Sequence, residues 1–278
     1  MAIQSLTIIG VGLLGGSIGL AAKKHIKDCR VVGYGHRAMT LARALEMGAI
    51  DHGTQDLTAA IREADCVILC TPVGLFEQLL VQMSPALKPG AIVTDVGSTK
   101  RSTVAAATQL LPETVHFVGS HPMAGSEKRG VEFAKADLFD DAICITTPTE
   151  STNPQAVETI ESLWQAFGMR VIRLTPEEHD WRVAMISHLP HAVAAALVAM
   201  QDEQTLALAG KGFLDATRIA GGDGVLWRDI FVDNADAVRT GLLKLTQQLN
   251  QFASMLEPDR QAELKAWLDK IAEARNRM

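Results

Sequence analysis

The sequence lacks any lysine- or arginine-rich run, and its acidic residues outnumber its basic ones. The 278 residues include 26 Lys and Arg against 32 Asp and Glu, which gives a formal net charge of -6 and a pI near 5.8. Because surfaces for nucleic acid or anionic membranes need clustered positive charge, we expect neither kind of partner.

Long apolar runs and a targeting segment are also missing. Charged residues interrupt every apolar stretch before it reaches the length of a membrane span. The apolar start over 6–14 is broken by glycines and lacks a basic leader and a cleavage motif, so we expect no secretory signal and a cytoplasmic location.

Cysteine is scarce as well. The four cysteines show no CxxC spacing and lie mostly in apolar runs; they are Cys29, Cys66, Cys70 and Cys144. This pattern predicts small core residues in a reducing compartment, with redox or metal chemistry as the alternative.

Up to Leu174 the sequence alternates short apolar runs with amphipathic segments. The strand candidates are 6–10, 31–34, 66–70, 92–96, 115–118, 142–145 and 171–174. Apolar strands separated by helices predict an α/β fold with a mainly parallel sheet covered on both faces.

The character of the chain changes at Thr175. Thr-Pro-Glu-Glu over 175–178 is typical of a helix start, with an N-cap, a proline at the first helical position and acidic residues in the first turn. Helical periodicity follows over 176–201, 206–220, 226–255 with a break, and 258–274. We predict a first domain over 1–174 and an all-helical second domain over 175–278.

The first apolar run ends in a glycine-rich turn that opens a predicted helix. In this G-x-G-x-x-G pattern Gly10 permits the tight turn, Gly12 lets a pyrophosphate approach the backbone, and Gly15 permits close helix packing. We predict that these glycines and Leu14 bind a dinucleotide. A plain glycine turn is the alternative.

The residues after the second apolar run indicate which dinucleotide the protein binds. An NAD site usually carries an acidic residue here, but the sequence is Tyr-Gly-His-Arg over 34–37. Gly35 makes room, and His36 and Arg37 could hold a 2′-phosphate through charge-assisted hydrogen bonds. This favours NADP; the alternative is a solvated Arg37 and the use of NAD.

Turns after the next two apolar runs add further candidates. Thr71 and Pro72 are predicted to wall the adenine or pyrophosphate side of the cofactor, with a simple strand-to-helix turn as an equal alternative. Ser98, in Asp-Val-Gly-Ser-Thr-Lys over 95–100, could N-cap the following helix or direct its hydroxyl at a substrate.

His121 is the leading catalytic candidate. It lies on a predicted turn just after the strand over 115–118, and Pro122 biases it toward an extended conformation that ends the strand there. Substrates of open α/β sheets bind at such carboxyl ends. Free imidazole has a pKa near 6.5, and we expect a similar value for His121. A hydrogen-bonded turn residue is the alternative.

The helical part supplies substrate-site candidates. His188 and His191 lie three residues apart on one predicted helix face; a zinc pair is possible, but no third ligand has suitable spacing, so we predict no metal. Arg218 lies near a helix end stopped by glycines, with an ion pair to Asp215 as the alternative role. Trp227 is predicted to be half core and half pocket wall.

Five motifs, in order, give the chain a resemblance to a known family. They are GVGLLGGS from residue 10, DVGSTK from 95, GSHPMAGSEKRG from 119, SHLPH from 187 and TRIAGGDGVLWRDI from 217. Together they resemble the prephenate/arogenate dehydrogenase family of tyrosine biosynthesis. Only the first motif is generic, and the resemblance covers nearly the whole chain.

The resemblance implies a Rossmann-type dinucleotide-binding domain followed by an all-helical dimerisation domain, and hence a homodimer. It implies oxidative decarboxylation of prephenate or arogenate with NAD(P). His121 would accept the proton of the ring C4 hydroxyl, Ser98 would hydrogen-bond that hydroxyl, and Arg218 would bind a carboxylate. The residues lining or gating the pocket would be Glu127, His188, His191 and Trp227.

Several alternatives stay open. Prephenate and arogenate differ only in a keto or amino group, which the sequence does not distinguish. Because the chain stops soon after the last predicted helix, we expect no appended regulatory domain and only competitive inhibition by tyrosine. Two other hypotheses remain. One is a β-hydroxyacid-type dehydrogenase, which uses a lysine of the second domain, and the other is a non-catalytic dinucleotide-sensing regulator.

Overall fold

Eight strands form one sheet in the computed structural model, which describes residues 3–125, 128 and 130–277. The strands are β1 (Ser5–Ile9), β2 (Arg30–Tyr34), β3 (His52–Thr54), β4 (Cys66–Leu69), β5 (Ile92–Asp95), β6 (His116–Pro122), β7 (Ile143–Thr147) and β8 (Arg170–Arg173). Their order is β3-β2-β1-β4-β5-β6-β7-β8, and only the β6–β7 pair is antiparallel. The predicted α/β fold with a mainly parallel sheet is confirmed.

Thirteen α-helices accompany the sheet among the described residues. They are α1 (Leu13–His25), α2 (Ala38–Glu46), α3 (Leu57–Ile61), α4 (Phe76–Met83), α5 (Arg101–Leu110), α6 (Pro154–Ala166), α7 (Pro176–Val183), α8 (Leu189–Ala199), α9 (Glu203–Leu206), α10 (Lys211–Thr217), α11 (Gly224–Asp233), α12 (Ala235–Ser254) and α13 (Gln261–Asn276). The first six lie between strands and the other seven follow β8, so the predicted all-helical character of the C-terminal part is confirmed.

Helices cover both faces of the sheet. Successive residues of a strand point to opposite faces, so neighbouring residues pack into different core clusters. In β1, Ile8 belongs to the core cluster under α1 and α6, which contains the fully buried Trp164. Its neighbour Ile9 belongs to the second cluster, under α3 and α4, which contains Phe76. The two clusters hold the carboxyl ends of β1, β4, β5 and β6 at one edge of the sheet, where the candidate site lies.

Two strands differ from the predictions. The three residues of β3 are too few and too polar for the sequence to predict a strand. They form one because they pair with β2, where Val32 lies opposite His52. The strand predicted over 115–118 continues to Pro122 because 119–122 pair with β7, with His121 opposite Ile145. His121 therefore lies inside the end of a strand, and its predicted position on a turn after the strand was wrong.

The helices α7 and α8 are joined by a π turn, Ala184–His188, into one helix of 24 residues. By length and composition alone this helix could cross a membrane, because residues 183–199 carry no Asp, Glu, Lys or Arg. The expectation that charged residues interrupt every apolar stretch before it reaches that length was therefore wrong. Core helices of proteins without a membrane pass the same test, and this one directs the buried His179, Asp180 and His188 into the protein. The absence of a membrane partner stays a prediction.

Candidate active site

The sheet reverses its winding between β1 and β4, where doubly wound sheets bind ligands. Gly10 follows β1 with φ +97°, and a Cβ there would lie 3.0 Å from the carbonyl oxygen of Cys70. A Cβ at Gly15 would overlap the carbonyl oxygen of Gly10. Gly12 has open space in front of its Cα, so a ligand can reach the backbone there.

The start of α1 fits the pyrophosphate of a dinucleotide. Gly12 is the N-cap, no side chain caps the helix, and its first turn has no acidic residue. The first N–H groups of a helix, including that of Leu14, lack intrahelical acceptors and carry partial positive charge. These donors would hold the phosphate oxygens of NAD(P).

A cleft of about 190 Å³ continues from this turn. It is lined by Gly10, Tyr34, Gly35, His36, Thr71, Leu75, Gln78, Leu79 and Gln82. The lining contains no carboxylate. Next to it, Arg37 is the exposed N-cap of α2, and its side chain has no ion-pair partner in the described part of the chain.

The same cleft brings together candidate residues that were predicted from separate turns of the sequence. The Thr71 hydroxyl is buried without a hydrogen-bond partner among the described residues, whereas Pro72 is exposed and begins the turn Val73–Leu75. Gln78 and Gln82 were missed. Their spacing of four residues on a helix after a candidate cofactor turn could have indicated a shared face.

The turn that carries Ser98 is fixed by a buried ion pair. The Lys100 ammonium contacts the Asp95 carboxylate, and both side chains are fully buried. Asp95 also accepts the N–H groups of Gly97 at 2.8 Å and Ser120 at 3.1 Å. Ser98 lies half-buried at the bend between these anchors.

The option that Ser98 caps the next helix was wrong. The helix α5 begins only at Arg101, and no residue of its own turn caps it through a side chain. Instead the carboxylate of Asp180, from α7, accepts the N–H groups of Lys100 at 2.8 Å and Arg101 at 3.0 Å. The hydroxyl of Ser98 is thus not needed as a cap.

His121 is the start of a buried hydrogen-bonded chain that crosses from β6 to α7. Its Nδ1 lies 2.9 Å from Nε2 of His179, and Nδ1 of His179 lies 2.8 Å from Oδ1 of Asp180. All three side chains are buried. No sequence pattern indicated this series of hydrogen bonds, because His179 and Asp180 follow an ordinary helix start 58 residues or more after His121.

Burial sets the protonation of these groups. Desolvation, with smaller effects from His179, Lys100 and His188, holds the pKa of His121 well below its usual 6.5. The expectation of a pKa near 6.5 was therefore wrong. Desolvation likewise lowers the pKa of His179, and donors from His179, Arg101 and Lys100 lower the pKa of Asp180 although burial opposes them.

The other two histidines surround Trp227. The ring of His191 stacks on it at a centroid distance of 3.5 Å, and the ring of His188 meets it edge-on at 6.2 Å. Burial lowers the pKa of His188 to about 4. Nε2 of His188 and Nδ1 of His191 are buried without a partner among the described residues, so both nitrogens are left for a ligand.

Asn234 is a further residue that the sequence did not indicate. Its buried amide donates to the carbonyl oxygen of Asp180 at 2.8 Å and lies 3.2 Å from Nδ1 of His188. It therefore ties α12 to the π turn and to α7. Within the described ranges no group of three His, Cys, Asp or Glu side chains could hold a metal ion.

Arg218 lies in the short 3-10 turn Arg218–Gly221, which follows α10 and packs against α8. Its side chain is exposed, and the described residues, Asp215 included, give it no ion pair. An added Cβ at the neighbouring Gly222 would meet Trp227 and His191. The turn thus adjoins the histidine cluster. Glu127, predicted to line the pocket, lies outside the described residues.

Comparison with known proteins now gives the family. Residues 18–173 match the family model described as prephenate dehydrogenase, nucleotide-binding domain, and residues 175–270 match the one described as prephenate dehydrogenase, dimerization domain. The chain belongs to the prephenate dehydrogenase family. The resemblance inferred from the five motifs is confirmed.

Similar proteins from several organisms support this family assignment. A prephenate dehydrogenase of Bacillus subtilis is 38% identical over 92% of this chain and 71% of its own length. The structure of the Aquifex aeolicus prephenate dehydrogenase with hydroxyphenyl propionate and NAD+ has a TM-score of 0.93, 32% identity and coverage of 100% and 99% of the two chains. Synechocystis arogenate dehydrogenase has a TM-score of 0.85, 31% identity and coverage of 98% and 99%.

The family decides between the classes that the sequence left open. The chain is an oxidoreductase that uses NAD(P), of the prephenate/arogenate dehydrogenase type, and not a β-hydroxyacid-type dehydrogenase or a non-catalytic regulator.

Proposed function

We propose that His121 is the base in the oxidative decarboxylation of prephenate or arogenate. The observation that carries this role is its buried, neutral imidazole at the carboxyl end of β6, with Nδ1 occupied by His179 and Nε2 hydrogen-bonded to none of the described residues. A neutral imidazole is a suitable acceptor for a hydroxyl proton near pH 7.

Bound NAD(P) supplies the hydride acceptor for C4 of the ring. As C4 becomes a carbonyl carbon, Nε2 of His121 takes the proton of the C4 hydroxyl. Loss of carbon dioxide from C1 then leaves its bonding electrons in the ring, which becomes aromatic. The half-buried Ser98, whose turn is anchored by Asp95 and Lys100, hydrogen-bonds the same hydroxyl and orients it.

The second region binds the rest of the substrate. Arg218 has an exposed guanidinium with no ion pair to any described residue, and it can hold a carboxylate through two parallel hydrogen bonds. The free ring nitrogens of His188 and His191 and the indole of Trp227 line the pocket. Glu127 joins them in the proposal because of its position in the family motif.

We propose NADP as the preferred cofactor. The cleft beyond Gly10 has no carboxylate to bind a ribose 2′-hydroxyl, and His36 and Arg37 stand at its rim with exposed side chains. A 2′-phosphate would give Arg37 the charged partner that it lacks among the described residues. Gly10, Gly12, Leu14 and Gly15 hold the pyrophosphate, and Thr71 and Pro72 bound the site on the β4 side.

We also propose a homodimer of two-domain subunits, with the boundary between Leu174 and Thr175. The helical part matches a dimerization domain, and it exposes large apolar side chains along α8 and α12, among them Leu197 and Leu243. A second copy of the chain would cover this surface, including the apolar face of the helix Pro176–Ala199, without any bilayer.

The decisive experiment is a steady-state assay of prephenate and arogenate, each with NAD and with NADP. We expect turnover of at least one substrate and a higher kcat/KM with NADP. Turnover of neither substrate by the folded protein would contradict the proposed reaction, and a clear preference for NAD would contradict the role of His36 and Arg37.

A further inference from the structure

The series of hydrogen bonds from His121 through His179 ends at the carboxylate of Asp180. The structure fixes both oxygens of this carboxylate as hydrogen-bond acceptors. The backbone N–H groups of Lys100 and Arg101 can only donate, and they occupy Oδ1 and Oδ2 of Asp180. Both oxygens of Asp180 must therefore accept. The low pKa of this carboxyl agrees, because it keeps the group ionised at neutral pH.

This fixes the proton on His179. Nδ1 of His179 lies 2.8 Å from the accepting Oδ1, so Nδ1 carries the proton. Burial keeps His179 neutral, so its other ring nitrogen, Nε2, has none. Nε2 can then only accept a hydrogen bond.

The same step fixes the proton on His121. Nδ1 of His121 lies 2.9 Å from the accepting Nε2 of His179, so Nδ1 of His121 must be the protonated nitrogen. Nε2 of His121 is left with its lone pair, and no described residue hydrogen-bonds it. Without this chain the imidazole could carry its proton on Nε2, where it would face the substrate hydroxyl with a donor and could not take a proton.

We propose that His179 and Asp180 are positioning residues that hold His121 in the Nδ1-protonated tautomer, so that Nε2 is ready to accept the substrate proton. The proposal rests on the proposed role of His121 as the base. It assigns part of the acid–base machinery to α7, in the second region, although the base itself lies on β6.

The same chain stabilises the imidazolium that forms when His121 takes the proton. Its Nδ1–H already points at His179, whose own proton points at the Asp180 carboxylate, so the new positive charge is linked to a negative one through two short hydrogen bonds. The other charged or titratable groups that act on His121 are Lys100 and His188, and both oppose a positive charge on it. The Asp180 carboxylate, at the far end of the hydrogen-bonded series, carries the opposite charge.

The tautomer can be measured directly in the full-length resting enzyme. With ¹⁵N-labelled histidine, long-range ¹H–¹⁵N correlation spectra at pH 7.5 distinguish protonated from bare ring nitrogens. The chain has eight histidines, and His121→Asn identifies the His121 signals by their loss. We expect a protonated Nδ1 and a bare Nε2 on His121, and a protonated Nε2 would overturn the proposal.

Two substitutions of His179 separate positioning from structure. His179→Gln keeps an amide that can accept from His121 and donate to Asp180, whereas His179→Leu can do neither. Asp180 is left intact because its carboxylate also caps α5. We expect His179→Leu to lower kcat roughly a hundredfold and His179→Gln by about tenfold or less, with the KM for substrate and the Kd for cofactor changed by less than about twofold in both.

The spectra should follow the rates: His179→Gln keeps the Nδ1-protonated form of His121, and His179→Leu loses it. Equal kcat for wild type and His179→Leu would overturn the proposal, as would equal losses in the two variants with unchanged spectra. Failure of the proposed base looks different, because His121→Asn would then retain turnover whatever the His179 variants show.

Discussion

The two regions of the chain bury apolar surface very differently. Before Thr175 the described residues form both core clusters of the sheet, and six of their large apolar side chains are exposed. After it, in a shorter stretch, sixteen are exposed. The first region is thus stabilised by its own packing, whereas the second exposes apolar surface that the proposed second copy would bury.

Both regions bury polar residues. The second region buries His179, Asp180, His188, His191 and Asn234, and the first two of these hydrogen-bond groups of the first region. The proposed cofactor cradle, the proposed base and Ser98 belong to the first region, and the groups proposed to position the base and to bind the substrate carboxylate belong to the second. Substitutions in the second region should therefore impair either the proton transfer or substrate binding, according to which of these groups they remove.

The largest effect is expected in the first region, at His121. His121→Asn keeps a polar group of similar size that cannot accept a proton. We expect kcat to fall on the order of a hundred- to ten-thousandfold, while the Kd for NADP, measured by fluorescence titration, stays within about twofold. Near-normal turnover by the folded variant would leave His121 as a structural hydrogen-bonding residue.

In the second region, Arg218→Ala should impair binding more than chemistry. A guanidinium on a carboxylate acts in both the ground state and the transition state, so we expect KM to rise roughly 10- to 100-fold with kcat reduced much less. Lys211→Ala, which removes an exposed cation from the other end of α10, is the matched control and should leave KM unchanged. An unchanged KM for Arg218→Ala would remove it from the substrate site.

The exposed apolar surface of the second region predicts the next effect. Leu243→Glu places a charge on α12 where a second copy would have to bury it, so we expect the dimer to dissociate at concentrations at least about tenfold higher than for the wild type. Leu45→Glu, on α2 of the first region, is the control and should not alter assembly. Sedimentation velocity over a concentration series measures both, and a wild-type monomer would contradict the proposal outright.

Cofactor choice tests the first region without the second. Arg37→Ser should lower kcat/KM for NADP by roughly tenfold and leave that for NAD nearly unchanged, because only the 2′-phosphate contact is lost. Arg43→Ser removes the same charge elsewhere on α2, where the arginine pairs with Glu46, and should alter neither value. Equal losses with both cofactors would assign Arg37 to the stability of the helix start.

The smallest effect is expected from pH. His121 must be neutral to act as a base, and burial lowers its pKa well below 6.5. The protonated, inactive form should therefore accumulate only in acid below that value, and kcat should change by less than about twofold between pH 7.5 and pH 6.5. A kcat limb centred near pH 6.5 that disappears in His121→Asn would show that the ring is more solvated than the structure indicates.

Local signals in the sequence predicted much of this arrangement. The apolar runs and the glycine turn indicated the sheet and the cofactor cradle, because each depends on residues close together in the chain. The strand β3 was missed because its pairing with β2, and not its own composition, makes it a strand.

The environment of the base could not be predicted in the same way. The pKa of His121 follows from burial, and its tautomer depends on His179 and Asp180, which are distant in sequence. Asn234, which ties α12 to the same site, is further still along the chain. The sequence identified individual candidate residues, whereas the contacts between them follow from the fold.

The central claim is that the base of the first region and the positioning pair of the second act as one unit, and a double-mutant cycle tests it most directly. The kcat of wild type, His121→Asn, His179→Leu and the double variant would be measured at pH 7.5 with saturating substrate and cofactor. We predict that His179→Leu lowers kcat roughly a hundredfold in the wild type but by less than about twofold in the His121→Asn background. A further hundredfold loss in the double variant would mean that the two residues act independently, and it would contradict the claim.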